Sequence, residues 1–110
     1  MRQMLINELN KDERERIKKF LDENARQGGV DGLYWLAIPE RLWGESQCGH
    51  EACGPFSFAI ELGDDFISLE LLVRSASNLH CPCTCYATAA QRLLLLEFLD
   101  RLTGELAIRA

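Results

Sequence analysis

Phe56-Ser57-Phe58-Ala59-Ile60-Glu61-Leu62, then Gly63-Asp64-Asp65, then Ile67-Ser68-Leu69-Glu70-Leu71-Leu72-Val73-Arg74: this stretch decides the fold. In the first run Phe56, Phe58, Ile60 and Leu62 alternate with Ser57, Ala59 and Glu61. In the second, Ile67, Leu69, Leu71 and Val73 alternate with Ser68, Glu70, Leu72 and Arg74. Successive side chains of a strand point to opposite faces, so each run has one apolar face. Gly-Asp-Asp between them is turn chemistry. The expectation is a hairpin in which Leu62 faces Ile67, Ile60 faces Leu69, Phe58 faces Leu71 and Phe56 faces Val73. A one-residue slip would put the two apolar faces on opposite sides, so the pattern specifies the register.

Upstream, Leu33-Tyr34-Trp35-Leu36-Ala37-Ile38 is a short continuous apolar run, expected to form a buried third strand ended by Pro39. Pro39 suits the first turn of a short helix over Glu40-Arg41-Leu42-Trp43, with Gly44 after it. Trp35 and Trp43 are expected in the core rather than lining a pocket.

Two helices flank these strands. The first is expected over Lys11–Gln27, with Asn10 as N-cap and Glu13 completing a capping box. Its apolar stripe is Ile17, Phe20, Leu21 and Ala25. Asp12 with Arg16, Glu15 with Lys19 and Asp22 with Arg26 are spaced for acid-first ion pairs, and Gly28-Gly29 supplies a stop. Met4, Leu5, Ile6 and Leu9 suggest a short preceding helix that packs separately. The last helix is expected over Ala89–Thr103, capped by Thr88 with Gln91. It carries Leu93, Leu94, Leu95, Leu96, Phe98, Leu99 and Leu102, against a narrow polar stripe of Glu97, Asp100 and Arg101. A helix this apolar packs on more than one surface: it is expected between the sheet and the first helix, or between the sheet and a second subunit, the second placement making a homodimer through residues 89–103. The fold expected is α+β: a small three-stranded antiparallel sheet with the N- and C-terminal helices packed on one face.

The chain has 110 residues, 47% of them hydrophobic and 26% charged, which suits one globular domain over 1–110. The net charge of −5 leaves no basic footprint for nucleic acid. No stretch approaches the roughly 20 apolar residues of a membrane helix, and the first residues reach charge too soon for a signal peptide. The expectation is a cytoplasmic protein, where thiols stay reduced and serve as ligands or redox groups rather than disulfides.

All five cysteines and both histidines fall in two short segments, Cys48-Gly49-His50-Glu51-Ala52-Cys53 and His80-Cys81-Pro82-Cys83-Thr84-Cys85. The first precedes one hairpin strand and the second follows the other. An antiparallel hairpin brings its open ends together, so the donors are expected at one end of the sheet. Thiolate and imidazole suit zinc, which four ligands close into a structural site. If residues 81–85 are extended, alternation puts the three sulfurs on one side and His80 on the other. The candidate ligands are therefore Cys48, His50, Cys53, Cys81, Cys83 and Cys85, with zinc as the cofactor.

The spacings, C-x4-C and C-x-C-x-C, differ from the paired C-x-x-C of zinc ribbons and match no common iron–sulfur run. Two other accounts compete. Cysteine is a small, often buried hydrophobe, and packing alone is the second account of all five. Cys85, just before a helix, also suits a thiolate of a redox or metal-transfer protein, although the C-x-x-C redox signature is missing. The function expected is a non-enzymatic protein-interaction module held by a structural metal, with redox or metal-transfer thiol chemistry as the alternative and nucleic-acid binding, set low by the acidic balance, as a third.

Overall fold

The computed structural model describes residues 2–44, 56–75 and 85–105; within β6 and at the end of the last helix, the side chains of residues 85 and 105 stand outside this description. In chain order the elements are β1 (Gln3–Ile6), α1 (Lys11–Asn24), β2 (Arg26–Gln27), β3 (Leu33–Ala37), a 3-10 turn (Glu40–Leu42), β4 (Phe56–Leu62), β5 (Ile67–Ser75), β6 (Cys85–Tyr86) and α2 (Ala89–Glu105). The class is α+β and the sheet is antiparallel. Its strands run β1-β5-β4-β3-β2, and the short β6 also pairs with β5.

The sheet is thus wider than the three strands expected. β1 replaces the expected short helix at the N-terminus: Gln3–Ile6 pairs with Glu70–Ile67 along the edge of β5. Four residues cannot repay the cost of nucleating a helix, whereas the open edge of β5 offers them a ready ladder. β2 takes the last residues assigned to the first helix. That helix stops at Asn24, Ala25 turns extended, and Arg26 and Gln27 pair with Trp35 and Tyr34. Gly28 and Gly29 accordingly belong to the β2–β3 turn rather than to a helix cap. The N–H of Gly28 donates to Leu33 O at 2.7 Å.

The central hairpin forms with the expected inner pairs, Leu62 facing Ile67 and Ile60 facing Leu69. Beyond them the register differs from expectation: Phe58 faces Val73 and Phe56 faces Ser75. Ala59 on β4 stands against Glu70, Leu71 and Leu72 on β5, a bulge that shifts the ladder by two residues. A shift of two leaves every side chain on its own face, so the apolar match survives. The bulge also divides the work of β5 along its outer edge. β1 pairs below it and β6 pairs above it, Leu72 with Tyr86 and Val73 with Cys85. Leu71 stands at the changeover: its N–H donates to Arg2 O at 3.0 Å, and its carbonyl accepts from Ala87 N at 2.8 Å.

Both helices begin with the predicted capping boxes. Asn10 Oδ1 accepts from Glu13 N at 2.7 Å while Glu13 Oε1 accepts from Asn10 N at 3.0 Å. Thr88 Oγ1 accepts from Gln91 N, and Gln91 Oε1 accepts from Thr88 N. Of the expected α1 ion pairs, Arg16–Asp12 forms at 3.2 Å. Asp22 turns instead to Lys18, Gln27 and Tyr34. Ile17, Phe20 and Leu21 of α1 and Leu95, Phe98 and Leu102 of α2 join one buried cluster with Tyr34, Phe58, Ile60, Leu69 and Val73. Phe20 and Phe98 meet edge to face at 5.5 Å, a geometry aromatic rings favour. Among the described residues no helix is long and apolar enough to cross a membrane.

Candidate metal centre

The N-terminus of α1 marks one end of the sheet. Arg14 Nε donates to Gly63 O at 2.8 Å, and Leu9 N to Asp65 O at 2.8 Å, both in the β4–β5 turn. The opposite end is where the cysteine-bearing segments leave and return. Phe56, the first residue of β4, faces Ser75, the last of β5, and Cys85 faces Val73 two residues further in. The third approach to this end is the 3-10 turn. Ile38 N donates to Phe56 O at 2.9 Å, and the Trp43 ring stands edge-on to Phe56 with centroids 4.7 Å apart. Gln91 fixes that turn to α2: its Nε2 donates to Leu42 O at 2.9 Å from a fully buried position. Gly44, Phe56, Ser75 and Cys85 therefore border both donor segments at a single end of the sheet.

Of the candidate ligands, Cys85 lies within the described residues, in β6. It stands in a strand, three residues before the Thr88 cap. Pairing with β5 supplies the reason, since two residues paired to Leu72 and Val73 carry no period of their own. Cys48, His50, Cys53, Cys81 and Cys83, with His80, lie outside the described residues. Among the described residues no three His, Cys, Asp or Glu side chains gather as a metal site.

The face of the sheet that carries Ser57, Ala59 and Glu61 holds a feature the sequence reading left aside. A hollow of about 320 Å3 is lined by Gln3, Asp31, Glu61, Ser68 and Glu70 among others. The signal for it was present: small residues at Ala59 and Ser68 leave room between longer neighbours. Glu70 is half-buried and grips Arg74 through two contacts, 3.2 and 3.3 Å. Four residues of straight strand span about 13 Å. The bulge between them brings this pair together. Ser68 Oγ donates to Gln3 Oε1 at 2.9 Å, so its hydroxyl is engaged with an amide rather than with a base. The hollow thus offers hydrogen bonding and negative charge, but no paired nucleophile and base among the described residues. Trp35 sits half-buried on the same face, opposite Ala59.

No family model, curated protein or solved structure matches this chain.

What the chain can do chemically is therefore carried by its donor set. Chain reach limits where those donors lie. Cys53 is three residues from Phe56, within about 11 Å of it, and Cys83 is two from Cys85, within about 7 Å. Cys48 is four residues from Gly44 and Cys81 four from Cys85, each a span of at most about 14 Å. Soft sulfur and borderline nitrogen donors in that number fit zinc, and they do not fit hard cations such as magnesium or calcium, which take oxygen.

Proposed function

We propose that this chain is a small, non-enzymatic protein-interaction module of one domain, working in the cytoplasm. Its Cys/His end is tied by one zinc ion drawn from Cys48, His50, Cys53, Cys81, Cys83 and Cys85. Both helices lie on the apolar face of the sheet, as the Phe20–Phe98 contact supports. The observation that carries the zinc reading is the register at the open end of the hairpin. Phe56 against Ser75 and Cys85 against Val73 gather the borders of both donor segments.

Zinc, when bound, supplies cross-links between segments that are distant in sequence, and its binding free energy becomes folding free energy. Phe56 and Ser75, which border the two donor segments, face each other at that end of the hairpin, so a metal tie would join segments on either side of it. The interaction part of the reading rests on α2, which leaves Leu93 and Leu96 exposed.

The test is metal content by elemental mass spectrometry on protein purified without a histidine tag or chelator, with a thiol count on the same sample. About one zinc per chain and slowly reacting thiols are expected, as for a closed tetrahedral site. A metal-free protein with five freely reactive thiols would overturn the zinc reading and favour redox or metal-transfer chemistry, for which more donors than four already exist.

A further inference from the structure

Resting on that interaction reading, we propose that the partner is a second copy of this chain, docked through α2 against α2 in parallel about a two-fold axis along the helices.

The two helices present different outer faces. That of α1 is charged and laced with pairs such as Arg16–Asp12 and Lys18–Asp22. That of α2 exposes Leu93 to 54% and Leu96 to 44% while Gln91, Leu95, Phe98 and Leu102 point into the core. Leu93 forms a ridge between two shallow hollows. One, of about 330 Å3, is lined by Met4, Leu71, Ala89 and Leu96 with Arg92 at its side; the other, of about 230 Å3, by Leu42, Ala90 and Leu94 together with the charged Arg41 and Glu97. A leucine ridge between hollows that are apolar at their floors and charged at Arg92, Arg41 and Glu97 is a surface into which another helix can pack its own ridge.

Spacing and charge select the occupant. Ala89, Leu93 and Leu96 follow one another at intervals of four and three, the d-a-d seam of a coiled coil. In that frame Arg92 occupies g and Glu97 the following e. In a parallel pair, each g residue meets the partner's next e residue, so Arg92 meets the partner's Glu97 and the pairing repeats across the two-fold. In an antiparallel pair g meets g and e meets e, and this complementarity is lost. Glu97 makes no ion pair among the described residues. Arg92 uses one N–H on Ala87 O at 3.2 Å, which leaves its remaining donors for a carboxylate. Asp100 takes the next a position, where two like charges repel, so the helices meet around Leu93 and Leu96 and diverge beyond.

The test is sedimentation equilibrium of the full chain, with zinc content measured on the same sample. A dimer is expected. Leu93→Glu should weaken it at least a hundredfold with an unchanged circular dichroism spectrum. Arg92→Glu and Glu97→Arg should each weaken it about tenfold, and the double exchange should restore it. Asp100→Leu, which lengthens the seam, should tighten it. A zinc-loaded monomer would overturn the self-pairing alone, and would leave the leucines to residues 106–110 or to a foreign protein. A dimer indifferent to Leu93→Glu, or one the double exchange fails to restore, would overturn the α2 geometry. A metal-free dimer would sink the zinc reading and leave this one standing.

Discussion

The phenol of Tyr34 on β3 donates a 2.8 Å hydrogen bond to Asp22 Oδ1 on α1. It ties the first helix to the sheet and sets the ionisation of both groups. Asp22 is held below the usual carboxylate range, first by this bond and then by those from Gln27 and Lys18. Tyr34 is pushed up, by burial first and by Asp22 second.

Those shifts fix the pH dependence. A carboxyl that ionises more readily in the folded state stabilises the fold above its unfolded pKa, and that contribution fades as pH falls through the folded value. The stability gap between wild type and Asp22→Asn should therefore be widest above about pH 4 and close towards pH 2. Tyr34→Phe should flatten the same acid limb. The tyrosine works in the other direction: its share is present below its unfolded pKa and is lost as pH rises through the raised value. Urea midpoints across pH 2–7 measure the acid limb; a gap that stays constant would show that Asp22 does not titrate as described.

Gly32 and Gly29 sit in one turn and should answer differently to the same substitution. Gly32 has φ +84°, and a Cβ there would stand 2.7 Å from the carbonyl oxygen of Leu62. That backbone is fixed by Leu62 N, which donates to Gly32 O at 2.8 Å. Gly32→Ala combines a left-handed conformation with a clash against backbone, and should cost on the order of 1–3 kcal/mol. A Cβ at Gly29 meets nothing within 4 Å. Gly29→Ala should be neutral, or stabilise by up to about 1 kcal/mol through the unfolded chain. Equal losses in chemical denaturation would contradict the turn geometry.

Gln91 does two jobs with one amide. Its oxygen accepts from Thr88 N at the start of α2, and its nitrogen donates to Leu42 O in the 3-10 turn. Gln91→Leu keeps the volume but removes both bonds from a buried place, at a cost of about 2–3 kcal/mol. Gln91→Glu keeps the cap and sets a carboxylate against the Leu42 carbonyl. It should be destabilised at neutral pH and regain part of the loss in acid, where the carboxyl can donate. Thermal melts at pH 7 and 4 compare the two variants; a Gln91→Leu protein as stable as wild type would remove the latch.

The capping role of Gln91 was legible from Thr88-x-x-Gln91, whereas its bond to Leu42 was not. That contrast holds for the whole chain. Features set by neighbours within a few residues stand in the sequence: the Asn10–Glu13 box, the alternation of β4 and β5, the end of β3 at Pro39. β1, β2 and β6 do not, because two to four residues carry no period and are strands only where β5 or β3 offers an edge. The bulge opposite Ala59 leaves no trace either, since a shift of two preserves the alternation. For the candidate centre, the hairpin made legible that Phe56 and Ser75, which border the two donor segments, lie at one end of the sheet. The seating of Cys85 against Val73 was not, because it depends on β6 reaching back to β5 above the bulge.

Trp43 is placed to report on the centre. It stands five residues before Cys48, and its ring packs on Phe56, three residues after Cys53. Its Nε1 reaches Ile38 O at 3.4 Å. A zinc ion held by the intervening cysteines would pin both ends of that aromatic pair, so removing it should loosen the Trp43 ring and admit water. Chelation should shift tryptophan emission to the red in wild type and in Trp35→Phe, and leave Trp43→Phe unchanged, because Trp35 lies on the other face beside Gly28. Removal of zinc held at a hundred times its Kd should also cost about 2.7 kcal/mol, roughly 10 °C in Tm for a domain of this size. Zinc loss confirmed by elemental analysis, with emission and Tm both unmoved, would separate the metal from the Trp43–Phe56 end of the sheet.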